Sequence, residues 1–151
     1  MYSHSQFGWP MAVGAGLALG FATVVLVAVS DETRAAASWT IVALYATIGL
    51  AFAAFFRLRV TVDPDRILAV FGIGLIRKEI PLADVLRADV VRTRVWWGYG
   101  IHWTPSGWLY NVAGRHAVRL EVRGGRAMMI GTDEPDALKA AIDARLAARG
   151  R

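Results

Sequence analysis

The sequence predicts a membrane α + β protein: an N-terminal two-helix transmembrane hairpin, then an antiparallel β domain of about seven strands closed by a C-terminal capping helix. Three observations predict it. Two charge-free apolar runs stand back to back in the first 56 residues. Charge is unevenly placed: residues 1–56 hold one basic and two acidic residues, whereas residues 57–151 hold sixteen and ten. After residue 56 the hydrophobic period shortens to two, and after residue 131 it lengthens to that of a helix.

The predicted divisions are a short cytoplasmic N-terminus (1–9), a transmembrane hairpin (10–56) with helices over about 10–30 and 38–56, and a cytoplasmic domain (57–151). At 1.5 Å per residue the apolar core of the first run, 11–29, rises roughly 30 Å, and that of the second, 39–56, about 27 Å. Both match a hydrocarbon core. Asp31, Glu32, Thr33 and Arg34 separate the runs, and so short a connection makes the helices antiparallel neighbours. A cleaved signal peptide is the rival reading, since Ala35-Ala36-Ala37 resembles a cleavage site. The first ten residues lack its basic region, however, and the apolar run is too long. Arg57 and Arg59 directly follow the second run, with Arg66, Arg77 and Lys78 beyond, against Arg34 alone in the connection. The positive-inside rule therefore places both termini in the cytoplasm, and Trp9 and Trp39 fall at opposite interfaces. Small residues recur every four positions at Ala12, Gly16 and Gly20, and again at Ala43, Thr47 and Ala51. These stripes are expected to pack the hairpin, the alternative being a dimerisation face.

In the domain, strands are expected over 57–62, 67–71, 75–80, 86–95, 99–103, 108–112, 117–122 and 126–130. Asp63-Pro64-Asp65, Gly72–Gly74 and Gly124-Gly125 mark turns between them. Thr132, Asp133, Pro135 and Asp136 supply cap and first-turn chemistry for a helix over about 134–148, whose apolar stripe is Leu138, Ile142 and Leu146.

The run Trp97-Gly98-Tyr99-Gly100-Ile101, the turn Gly124-Gly125-Arg126 inside 117–130, and Ile130-Gly131-Thr132-Asp133-Glu134-Pro135 followed by Leu138 resemble the bacterial pleckstrin-homology-like (PH-like) domains of small membrane proteins. The resemblance covers roughly residues 57–148. It implies a seven-strand half-barrel capped by a C-terminal helix, preceded by one or two membrane helices, and it carries no established activity. Eukaryotic relatives hold inositol phosphates with basic residues in the loop joining their first two strands. Here that loop reads Asp63-Pro64-Asp65-Arg66 and is acidic, so the same recognition is not expected.

Catalytic, cofactor-binding and metal-binding residues are not expected, and neither is an enzyme. The chain has no cysteine, and His4, His102 and His116 are scattered. Ser106 has no nucleophile-elbow context, and Asp63 and Asp65 flank Pro64 as turn residues. Neither apolar run carries an ionisable residue that would mark a proton path. Only Lys78 and Lys139 are lysines in an Ala-, Gly- and Val-rich chain, a bias expected of a GC-rich bacterial genome, and with the two apolar runs the expected location is the bacterial cytoplasmic membrane. The domain's modest positive charge shows no nucleic-acid motif.

What stands out is aromatic: Trp96, Trp97, Tyr99, Trp103, Trp108 and Tyr110 fall within fifteen residues. They either fill the half-barrel or form a partly exposed rim, for which Trp96, Trp97, Tyr99, Trp103 and Trp108 are the candidate interaction surface. The function expected is that of a membrane-anchored adaptor binding a protein partner or its own copies. A lipid or small-ligand module is the alternative. Arg57 and Arg59 are the candidate membrane-proximal basic residues, for weak contact with anionic lipid.

Overall fold

The computed structural model describes residues 1–149, apart from the side chains of Ala36, Val95 and Arg126. Residues 150–151, the expected end of the domain, lie outside the described residues.

The two long helices are α1 (Trp9–Ala28) and α3 (Ser38–Phe55). Their mean hydropathies are 2.2 and 1.7, both are long and apolar enough to cross a membrane, and neither is covered by the rest of the chain. Between them a short helix, α2 (Asp31–Ala36), starts at Ser30, whose Oγ accepts from the Thr33 N–H. Arg34 folds back onto the end of α1. Its guanidinium donates to the carbonyls of Leu26 (3.1 Å) and Val29 (3.1 Å) and pairs with Asp31 at 2.7 Å. The orphan carbonyls of a helix terminus thus find a cationic partner.

Of the small-residue stripes only Ala12 is half-buried, so most of their length lies outside the contact between α1 and α3. Gly16 and Gly20 are exposed, with open space where a Cβ would sit, and Ala43, Thr47 and Ala51 are exposed on α3. The half-buried rows are Ala15, Leu19, Ala22 and Leu26 on α1 and Ile41, Tyr45, Ile48 and Phe52 on α3, in alternating steps of four and three. Rows spaced in this way interdigitate at a shallow crossing angle. Thr23 donates to the Leu19 carbonyl (2.8 Å) and accepts from the Tyr45 hydroxyl (2.6 Å), joining the helices midway.

The domain contains nine strands among the described residues, rather than about seven. β1 (Tyr2–Phe7), β2 (Arg57–Val62), β3 (Arg66–Phe71) and β4 (Ile76–Pro81) make an antiparallel sheet in that order. β5 (Val85–Arg92), β6 (Gly100–Thr104), β7 (Gly107–Asn111), β8 (His116–Val122) and β9 (Arg126–Gly131) make a second sheet in the order β5-β8-β9-β7-β6. Its β7–β9 pair is parallel, so the second sheet is mixed rather than purely antiparallel. The strand expected over 86–95 ends at Arg92, and the chain then turns through a 3-10 segment, Val95–Trp97.

Residues 1–9 are not merely a tail. β1 pairs with β2 from Tyr2 opposite Val62 to Phe7 opposite Arg57, and the Gly8 N–H continues the ladder to the Phe56 carbonyl at 2.7 Å. The hairpin therefore leaves and re-enters the domain through adjacent strands. A Cβ on Gly8 would lie 3.1 Å from the carbonyl oxygens of Phe55 and Phe56, a tight contact that those backbone atoms relieve only by shifting a few tenths of an ångström. The core lies between the sheets, where Leu58, Val60, Val62, Ile67 and Phe71 of the first meet Tyr110, Val118, Leu120 and Ile130 of the second. Helix α4 (Pro135–Arg149) adds Leu138 and Ile142, both fully buried, against β5 and β8.

Candidate functional site

The five candidate aromatic residues separate into an exposed set and a packed set. Val95–Trp97 folds over the outer face of the second sheet, where Trp97 packs on a small cluster of Leu109, Ala117 and Met129. Trp97 is thus a cover for that face. Tyr99 is half-buried, and its carbonyl contacts the His102 ring. Gly98 and Gly100 on either side hold φ of +71° and +107°, a conformation that favours glycine and lets the chain enter β6. Tyr110 belongs to the core, 6.2 Å from the Phe71 ring, and burial raises its phenol pKa.

The other three reach solvent. Trp96 is 76% exposed, with the Arg94 guanidinium 5.4 Å from its ring centre. Trp103 and Trp108 are 66% and 38% exposed and meet edge to face at 5.5 Å. They face each other across the β6–β7 register, and β6 is the outermost strand of its sheet. Two tryptophans beside an open strand edge offer apolar area and unpaired backbone groups together.

The candidate basic residues lie at the base of the hairpin. Arg57 opens β2 directly after Phe56, and Arg59 is two residues on, on the outer face of the first sheet. The register brings a third arginine beside them: Arg59 stands opposite Val70, and Val70 opposite Arg77 of β4. Arg57, Arg59 and Arg77 line a hollow of about 290 Å³ floored by Val70 and by the turn Gly72-Ile73-Gly74. Sequence reasoning grouped Arg77 only with the orientation signals. Folding 66–71 and 76–81 into a hairpin about the glycine turn is the signal that could have found it.

Charge on this outer face is segregated. Toward the far end of the strands, Arg66 lies 3.1 Å from Glu79 and 3.6 Å from Asp63, and the hydrogen bond to Glu79 is the main cause of its raised pKa. Near the helices, no carboxylate among the described residues lies within 4 Å of Arg57, Arg59 or Arg77. Elsewhere, His4 ties β1 to the start of α4 through Asp133 at 2.6 Å and Glu134 at 3.3 Å. No family model matches the chain, and no curated protein or solved structure shows significant similarity to it.

Proposed function

We propose that this protein is a membrane-anchored interaction module: the α1–α3 hairpin crosses a bacterial cytoplasmic membrane, and the two-sheet domain, of the PH-like kind, captures a protein partner at the cytoplasmic face. Support for the anchor is physical. Two helices of mean hydropathy 2.2 and 1.7 with no protein cover would leave extensive apolar surface in water. A lipid environment removes that cost, and their closed backbone hydrogen bonding suits it. Because β1 and β2 flank the hairpin as paired strands, both ends of the hairpin meet the domain on one side. The basic residues after α3 favour the cytoplasm for that side.

The PH-like reading is supported by two facing sheets with a C-terminal helix packed against β5 and β8. The strand before the hairpin and the parallel β7–β9 pair are additions to the half-barrel that the resemblance implies.

The observation that carries the partner-binding reading is the exposed Trp103–Trp108 pair beside the free edge of β6. A partner strand adding to β6 would satisfy its unpaired backbone groups while the indoles bury apolar area. Confinement by the hairpin raises the domain's effective concentration toward other membrane proteins. The test is affinity purification of the full chain from its native membrane in mild detergent, beside a Trp103→Ala/Trp108→Ala form of equal expression. A stoichiometric protein present with the first and missing with the second supports the reading. The same proteins with both, or none with either, would refute it.

A further inference from the structure

We infer that the hollow between Arg57, Arg59 and Arg77 is a binding site for the phosphate of an anionic phospholipid in the leaflet that the domain faces. The inference rests on the hairpin's crossing a membrane; the arginine geometry then determines what the hollow takes.

Its depth follows from one hydrogen bond. The Ile73 N–H donates to the carbonyl of Ala53 at 3.2 Å, and Ala53 lies two residues inside the end of α3. The β3–β4 turn is therefore seated level with the last turn of an apolar helix, roughly 3 Å above its end at 1.5 Å per residue. The two side chains this turn displays are Ile73 and Leu75, 66% and 64% exposed. Apolar residues on a glycine turn beside a membrane helix are placed to enter the bilayer surface, as are the exposed Phe7 and Trp9 at the base of α1. The arginine hollow directly behind them falls at headgroup level.

The chemistry of the hollow is cationic and unsatisfied. Arg57 has its Nε buried without an acceptor among the described residues, and its guanidinium lies 5.6 Å from the Phe56 ring centre. Arg77 is aimed by its Nε, which donates to the Gly74 carbonyl at 2.9 Å and leaves the remaining guanidinium donors for a ligand. Arg59 completes the group from the same face. A guanidinium offers paired donors that match phosphate oxygens, and three such groups without carboxylates suit a ligand bearing at least one full negative charge. The far end of the same sheet shows the contrast, since Arg66 there is already paired with Glu79 and Asp63. The acidic loop Asp63-Pro64-Asp65 lies at that far end, so the site proposed here is at the opposite end of β2 and β3 from it.

The experiment uses the full-length protein in nanodiscs of phosphatidylcholine doped with phosphatidylglycerol, phosphatidate or phosphatidylserine, with retained lipid counted by native mass spectrometry. Arg77→Gln, Arg57→Gln and a charge control, Arg123→Gln on the exposed β8–β9 turn, are compared with the parent. Retention of phosphatidylglycerol or phosphatidate over phosphatidylcholine is expected, persisting at moderate salt. Arg77→Gln and Arg57→Gln should each reduce it about tenfold, the loss of one charged hydrogen bond, and Arg123→Gln should leave it unchanged. Inorganic phosphate at millimolar concentration should not displace the lipid, because it lacks the acyl chains that sit beside Ile73 and Leu75. Equal losses in Arg77→Gln and Arg123→Gln, or retention abolished by moderate salt, would mean diffuse attraction and overturn the site. Displacement by inorganic phosphate would overturn the lipid as its occupant. Alkaline carbonate extraction of the same protein from membranes is the separate check on the anchor: a protein that resists extraction but shows no lipid preference overturns the site alone.

Discussion

Replacing Gly72 by alanine should unseat the β3–β4 turn from α3, and Gly124 supplies the control that makes the effect interpretable. Both glycines hold positive φ, +51° and +96°, so a Cβ at either costs about 1–2 kcal/mol of backbone strain. They differ in what the Cβ meets. At Gly124 there is nothing within 4 Å, whereas at Gly72 the Cβ would fall 2.0 Å from the Ala53 carbonyl oxygen and 2.6 Å from the carbonyl atoms of Ala54. Those atoms are helix backbone and yield only if the turn or the end of α3 moves. Overpacking of this kind costs about 1–3 kcal/mol. Lifting the turn also breaks the Ile73 N–H bond to Ala53 and the Gly72 N–H bond to the Arg57 carbonyl, about 1 kcal/mol each. G72A should therefore lose about 4–7 kcal/mol and G124A about 1–2, against a total stability of about 5–15 kcal/mol for a domain. Thermal melting of the full-length protein in detergent, followed by near-ultraviolet circular dichroism, should show a midpoint roughly 10–25 °C lower for G72A and a few degrees lower for G124A. Asparagine, which tolerates positive φ, separates the two costs: G124N should recover most of its loss and G72N little. Equal shifts for G72A and G124A would refute the contact between turn and helix, and with it the depth assigned to the arginine hollow.

Three further outcomes are expected. Thr23→Val removes the hydrogen bond that Tyr45 donates between the helices and should weaken the hairpin by about 0.6–1.7 kcal/mol, measured by unfolding in mixed micelles of rising dodecyl sulfate content; unchanged unfolding would show that Tyr45 is satisfied elsewhere. Arg34→Ala frees the carbonyls at the end of α1, and hydrogen exchange should quicken over residues 28–33 while the domain's protection is unaltered; uniform exchange in the two forms would mean that Arg34 is not a cap. Burial, with the Glu134 carboxylate second, pushes the Tyr2 phenol up to about 12, so the fold favours its neutral form. That contribution is complete below pH 10 and is lost as pH rises from 10 toward 12, so Tyr2→Phe should lose less stability than the parent across that window in alkaline unfolding, and parallel curves would refute the assignment.

Features visible in local pattern could be read from the chain. The hairpin helices were legible because a run of about twenty apolar residues has few structural solutions, and Asp31–Arg34 could only interrupt it. The helix at 135–149 announced itself by its caps and by Leu138, Ile142 and Leu146, and the turns by their glycines and Asp-Pro pairs. β1 was not legible. Its sequence, Tyr-Ser-His-Ser-Gln-Phe, alternates without an apolar face, and it is held by pairing with β2 and by Gln6 donating to the Ala113 carbonyl. The β7–β9 pairing was equally hidden, since no residue pattern within either strand states its neighbour.

The same division runs through the candidate sites. That the stretch from Trp96 to Tyr110 is aromatic is a property of the chain, but which rings are free is a property of the fold. The 3-10 turn lays Trp97 on Leu109 and Met129, while Trp103 ends on the open edge strand with Trp108 one strand inward beside it. Arg57 and Arg59 could be marked as basic residues beside a helix by adjacency alone. Only the register of three strands sets Arg77 with them and the carboxylates at the opposite end. The sequence determined, by hydrophobic length and period, where this chain is apolar and, β1 apart, roughly where its long helices and strands run. The tertiary structure decided which residues separated along the chain share a face, because strand pairing is chosen by the packing of the whole core and not by any one segment.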